Sequence, residues 1–170
     1  MPERPNILIL MTDQQRADSL GCYGNAVCRT PNLDRLAGQG ALMENAFVSN
    51  PLCMPNRATL LTGRYPSAHG VRTNGIPLVC EEITLPRVLA DAGYRTASFG
   101  KIHLQPFGIL ECKFPDGRVM TSYESAAFWQ ASGGGFDAEL FWSPAQRMPL
   151  PYYGFQEVEL SVGHGEGVTG

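Results

Sequence analysis

The chain has 170 residues, of which 44% are hydrophobic and 17% charged, a balance typical of a folded protein with a buried core rather than of a disordered chain. Its 13 basic residues are scattered and the net charge is −3, which argues against a nucleic-acid or anionic-membrane surface and favours a small anionic substrate. No apolar run approaches the roughly 20 residues of a membrane-spanning helix, and no signal peptide precedes the first run, so we expect a cytoplasmic protein.

Strand-like and helix-like patterns alternate along the first two-thirds of the chain. Residues 6–12 are a continuous apolar run, typical of a strand buried on both faces of a parallel sheet. Further strands are predicted at 41–48 and 94–99. Thr or Pro at the start and Gly at the end predict helices at 30–37, 56–62 and 84–93. This alternation predicts an α/β fold with a mostly parallel sheet flanked by helices.

The remainder of the chain differs in composition from this α/β core at 1–105. Residues 106–170 are rich in aromatic residues, proline and glycine, which predicts loops and short elements. The chain then stops in a loop-like sequence, so we expect 1–170 to be one incomplete, truncated domain.

Two candidate site residues follow predicted strands, where ligands of open α/β sheets gather. Asp13 comes after the first strand, and Lys101 after the third. His103 lies two residues beyond Lys101, so in an extended segment both side chains point the same way. Taken singly, such residues are more often solvated charges or hydrogen-bonded histidines than catalytic groups.

The five cysteines form an odd set without zinc-site spacing, and only Cys53 has a distinctive context. Pro55 favours a helical start, which places Cys53 at or just before a helix N-terminus. There, unpaired amides and the helix dipole favour an oxyanion, and Arg57 is near enough to bind it with two hydrogen bonds. An ordinary thiolate nucleophile would exploit the same geometry.

The segment Cys53-Met-Pro-Asn-Arg, followed by Leu-Thr-Gly-Arg at 61–64, resembles the signature of the sulfatase family in the alkaline-phosphatase superfamily. Other blocks resemble that family in the same order, at 5–8, 12–14, 21–24, 30–36 and 100–104. The resemblance covers about the first 105 residues. It implies the N-terminal part of an alkaline-phosphatase-like fold.

The resemblance also implies a sulfuric ester hydrolase with a modified nucleophile. A maturation enzyme would oxidise Cys53 to formylglycine, whose hydrate attacks the sulfur of a sulfate ester. Arg57 would steady the formylglycine, and Lys101 and His103 would contact the substrate oxygens and the diol.

The same resemblance implies a divalent metal held by Asp13, Gln14 and residue 53. Hard oxygen ligands indicate Ca²⁺, with Mg²⁺ or Mn²⁺ possible. Many family members have two adjacent aspartates where this chain has Asp13 and Gln14, so the site carries one negative charge fewer. The family takes its remaining metal ligands from a region beyond residue 170, and we therefore expect the segment alone to be inactive.

Three alternatives stay open at this point. The same nucleophile serves phosphonate monoester and phosphodiester hydrolases, although Lys101 and His103 favour a sulfatase. The chain could instead be a fragment or pseudoenzyme that acts by binding. A thiol enzyme using Cys53 directly is the third reading, and it predicts alkylation at that residue.

Overall fold

The computed structural model describes residues 4–107, 111–114, 116–124, 150–162 and 167–169. They fall into two compact units, residues 1–47 and 48–170. In these residues, none of the helices is long and apolar enough to cross a bilayer.

The first unit contains two short 3₁₀ turns, Ala17–Ser19 and Gly21–Tyr23, and helix α1, Pro31–Gln39. The predicted helix is confirmed, but Thr30 does not cap it with its side chain. Its hydroxyl instead accepts from the Gly21 amide at 2.8 Å and donates to Asp34 Oδ1 at 2.9 Å, so it ties the 3₁₀ turn to the helix.

The strands predicted at 6–12 and 41–48 are not formed. The apolar side chains of the first run are exposed, with 79% of Leu8 accessible. An apolar run specifies burial, but a strand forms only where a neighbouring strand supplies backbone partners. Residues 4–47 contain no strand that could do so.

Three further helices lie in the second unit: α2, Cys53–Thr62; α3, Pro66–His69; and α4, Leu85–Asp91. Helix α2 ends at Thr62. The next residue, Gly63, has a φ of 67° that suits glycine, and its amide donates to the Thr59 carbonyl. Helix α4 begins after Thr84, whose hydroxyl accepts from the Arg87 amide as predicted for a cap.

The second unit also contains a small mixed sheet. Its strands are β1, Ala97–Gly100; β4, Glu157–Val162; and β5, Gly167–Thr169. Strands β1 and β4 are parallel, and β5 pairs antiparallel with β4. A separate hairpin joins β2, Glu111–Lys113, to β3, Val119–Thr121.

The core of this unit lies between α2, the segment after β1 and strand β4. It includes Met54 and Ala58 of α2, Ile102 and Leu104 after β1, and Leu160 of β4, all nearly inaccessible. Because these apolar side chains are spaced through the loop after β1, that loop is anchored to the core rather than free at the surface.

Candidate functional site

Cys53 is the first residue of α2, as the position of Pro55 predicts. Its side chain is half-buried. Two asparagines shape this helix start. Asn50 Oδ1 accepts from the Leu52 amide at 2.8 Å, and Asn74 Oδ1 accepts from the Met54 amide at 3.0 Å. Neither asparagine was expected from the sequence. Asn50 precedes the helix and is a recognised turn signal, whereas Asn74 lies 20 positions beyond Met54 and gives no local signal.

The prediction that unpaired backbone amides at this helix start favour an oxyanion is therefore wrong in one respect. The Met54 amide is taken by Asn74, and Pro55 has no N–H. The helix dipole remains favourable, but an oxyanion at residue 53 needs side-chain cations for most of its stabilisation.

Lys101 supplies such a cation. Its Nζ lies 3.8 Å from Cys53 Sγ, across 48 positions of sequence. Strand β1 ends at Gly100, where a φ of 102° that favours glycine turns the chain towards the start of α2. The fold thus brings together a nucleophile candidate and an ammonium group that the sequence had placed in separate motifs.

Arg57 binds the backbone of the same residue, Lys101. It lies one turn into α2, is only 7% exposed, and donates from Nη1 to the Lys101 carbonyl at 2.5 Å. This bond to a backbone carbonyl is a charge-assisted link between α2 and the end of β1. This hydrogen bond fixes the position of the Lys101 backbone.

His103 is almost buried, and its ring stacks on Phe107 with centroids 4.1 Å apart. Its φ is 53°, in the left-handed region. The premise that Lys101 to His103 is extended is therefore wrong, and side-chain alternation does not describe their relation. A positive φ at a non-glycine residue costs about 1–3 kcal/mol, so surrounding contacts must impose it.

Glu124 makes the contacts that impose this conformation on His103. This carboxylate is fully buried and accepts backbone N–H bonds from three consecutive residues, His103 at 2.7 Å, Leu104 at 2.8 Å and Gln105 at 3.1 Å. The Tyr152 hydroxyl donates to it at 2.9 Å. Burial raises the pKa of Glu124 to about 7, although these hydrogen bonds act to lower it.

Asp13 and Gln14 lie in the first unit, and both are exposed. Gln14 has a φ of 53°, a conformation that glutamine rarely adopts outside constrained or functional positions. Among the described residues, no three His, Cys, Asp or Glu side chains are grouped so that they could hold a metal ion.

The sequence matches one protein family over most of its length. The family model described as Sulfatase matches residues 5–144. The N-acetylglucosamine-6-O-sulfatase of Bacteroides thetaiotaomicron is 35% identical over 131 residues, which are 75% of this chain and 24% of that relative. The chain thus spans about a quarter of the length of that relative.

Two solved structures are similar as well. The protein BT4656, in complex with its substrate D-glucosamine-2-N,6-O-disulfate, matches 75% of this chain and 31% of its own, with a TM-score of 0.59 and 29% identity. The phosphonate monoester hydrolase of Agrobacterium radiobacter matches 61% of this chain and 20% of its own, with a TM-score of 0.57 and 39% identity. Together with the parallel pairing of β1 and β4, these similarities confirm the predicted α/β fold class.

Proposed function

The chain belongs to the sulfatase family, and from this premise we propose that the whole protein hydrolyses sulfate monoesters with residue 53 as its nucleophile. The observation that carries the proposal is the position of Cys53 at the start of α2, 3.8 Å from Lys101 Nζ. A group that develops negative charge at residue 53 would meet a fixed cation there.

In this proposal a separate maturation enzyme supplies the oxidant that converts the Cys53 thiol to the formylglycine aldehyde. One hydroxyl of the hydrated aldehyde attacks sulfur, and the ester S–O bond breaks as the alcohol leaves. Loss of the proton from the second hydroxyl restores the aldehyde C=O bond and expels sulfate. The encoded cysteine is therefore a precursor, and no thiol takes part in turnover.

The surrounding residues have distinct roles in this scheme. Lys101 offsets the charge on the sulfuryl oxygens from its place beside residue 53. Arg57 binds the Lys101 carbonyl and steadies the formylglycine at residue 53. His103, two residues further along the same loop, contacts the substrate oxygens and the diol.

The family implies a divalent metal, which supplies Lewis acidity to the nucleophile when bound. Asp13, Gln14 and residue 53 offer oxygen donors for Ca²⁺, Mg²⁺ or Mn²⁺, and the left-handed φ of Gln14 supports a constrained role there.

A phosphonate monoester or phosphodiester hydrolase is the second candidate, favoured by the 39% identity to the Agrobacterium enzyme. The two functions differ in the central atom of the substrate. A sulfate monoester carries one negative charge on three equivalent oxygens, and the structure of BT4656 with its disulfated sugar supports a small sulfate ester as substrate.

The deciding experiment uses the whole protein, matured in its own cells. We expect it to release the alcohol from an aryl sulfate with a higher kcat/KM than from an aryl phosphonate ester. Peptide mass spectrometry is expected to find aldehyde in place of the thiol at residue 53. An unmodified, alkylatable thiol in an active protein would instead indicate the thiol enzyme, and an inactive whole protein would indicate a pseudoenzyme.

The 170-residue chain produced alone is expected to show no metal-dependent turnover of either ester. The reason is that the chain spans about a quarter of the length of its N-acetylglucosamine-6-O-sulfatase relative, so most of the protein that would complete the site is missing. The measurement is aryl sulfate hydrolysis with and without added Ca²⁺, with circular dichroism to confirm secondary structure. Turnover comparable to that of the whole protein would contradict this prediction.

A further inference from the structure

Glu124 belongs to none of the sequence motifs described above, yet it binds the loop that carries two candidate site residues, Lys101 and His103. We infer that Glu124 is a positioning residue, which fixes the loop from Lys101 to Gln105 in the geometry that the reaction needs. This inference rests on the proposed function, because it takes Lys101 and His103 to be the groups that contact the substrate.

The geometry is that of an anion bound by a backbone nest. Three consecutive N–H groups, of residues 103–105, converge on the two carboxylate oxygens within 2.7–3.1 Å. Such a concavity forms where a residue takes the left-handed conformation, and His103 has a φ of 53°. The anion that fills this nest is part of the protein, so its function is to set the loop and not to bind a ligand.

Two charged side chains bind the backbone of this loop, Arg57 at its first residue and Glu124 from its third residue to its last. Arg57 donates to the Lys101 carbonyl at 2.5 Å, and Glu124 accepts the His103 amide at 2.7 Å, two residues further on. One backbone group is therefore fixed on each side of Ile102. Since Lys101 Nζ is 3.8 Å from Cys53 Sγ, a shift of this loop would change the distance between the ammonium group and the nucleophile.

A fully buried carboxylate is a costly way to satisfy three amides if stability is its only purpose. Desolvation disfavours its charged form, and its pKa is raised to about 7 for that reason. The structure nevertheless retains it with four donors, including the Tyr152 hydroxyl. Proteins retain such a costly buried group where it holds a strained backbone in a precise position beside a reacting centre.

The test is Glu124→Gln in the whole protein. Glutamine keeps one carbonyl oxygen for the Leu104 and Gln105 amides but presents N–H₂ to the His103 amide, so the loop is released at that residue alone. We expect kcat/KM for an aryl sulfate to fall on the order of 10-fold to 100-fold, as misplacement of a positioned group does. The inhibition constant of inorganic sulfate is expected to rise at least about fivefold, since sulfate presents the same oxygens to Lys101 and His103.

The inhibition constant separates positioning from mere stabilisation. A loss of folded protein lowers the concentration of active sites but leaves KM and the sulfate inhibition constant unchanged. Glu111→Gln is the matched control, because Glu111 is an exposed carboxylate at the start of β2, and wild-type constants are expected for it. Wild-type constants in Glu124→Gln would overturn the inference.

Glu124→Asp covers the case in which the glutamine variant does not fold. Aspartate keeps the charge, but its side chain is one methylene shorter. The hydrogen bonds that the three backbone amides donate to the carboxylate therefore lengthen. A fall in kcat/KM with a raised sulfate inhibition constant is expected again, and unchanged constants would overturn the inference. Failure of the unmutated protein to hydrolyse the aryl sulfate would instead contradict the proposed function, so the two failures are distinguishable.

Discussion

Replacing Cys53 by alanine in the whole protein is expected to lower kcat for an aryl sulfate by at least about 10⁴-fold, because removal of a covalent nucleophile costs a hydrolase nearly all of its rate. Alanine also removes the thiol from which the aldehyde is made. Helix α2 should persist, since Leu52 remains its cap residue and Pro55 remains in its first turn. The measurement is steady-state kinetics with aryl sulfate, combined with the melting temperature.

Cys53→Ser refines this expectation. A serine hydroxyl occupies the same place beside Lys101 and could attack sulfur once, but it has no second hydroxyl through which to expel sulfate. We expect a trapped sulfate ester on residue 53, visible as an added mass, and no sustained turnover. Cys28→Ala is the matched control, because Cys28 is an exposed thiol outside the candidate site. Sustained activity of Cys53→Ala within tenfold of wild type would refute the assignment of the nucleophile.

The parts of the site that could be predicted from the sequence are those with local signals. Pro55 and Gly63 mark the two ends of α2 within one segment, and Thr84 marks the start of α4, so these helices were predicted close to where they are found. Strand β1 was predicted from its β-rich run and its ending at Gly100. In each case neighbouring residues along the chain determine the structure.

The parts that could not be predicted depend on distant partners. The apolar run at 6–12 carries a strand pattern but has no strand neighbour within its unit. Strand β4 pairs with β1 across some 60 positions, although its alternation of Glu157, Val158, Glu159 and Leu160 is a period-two signal that could have identified it. Glu124 binds a loop that lies about 20 residues away in the sequence, and no local sequence pattern predicts this contact.

The two candidate site motifs illustrate the same division. Cys53 and Arg57 are one helical turn apart, so their proximity follows from helical periodicity. The approach of Lys101 to Cys53 requires β1 to end beside the start of α2, which only the folded chain reveals. The left-handed φ of His103 likewise comes from Glu124, so an extended loop was the wrong expectation.

Lys101→Met in the whole protein is expected to lower kcat/KM for an aryl sulfate about 10²-fold to 10³-fold, the usual cost of removing one preorganised group that stabilises transition-state charge. Methionine keeps most of the apolar stem, and the Lys101 carbonyl that Arg57 binds is part of the backbone, so the melting temperature should change little. Steady-state kinetics and thermal unfolding measure the two effects. Lys113→Met is the matched control, because Lys113, in β2, is the only other lysine in the sequence. A loss below about tenfold, or an equal loss in both variants, would show that the ammonium group beside Cys53 does not act on the substrate, since electrostatic stabilisation depends on position and not on net charge alone.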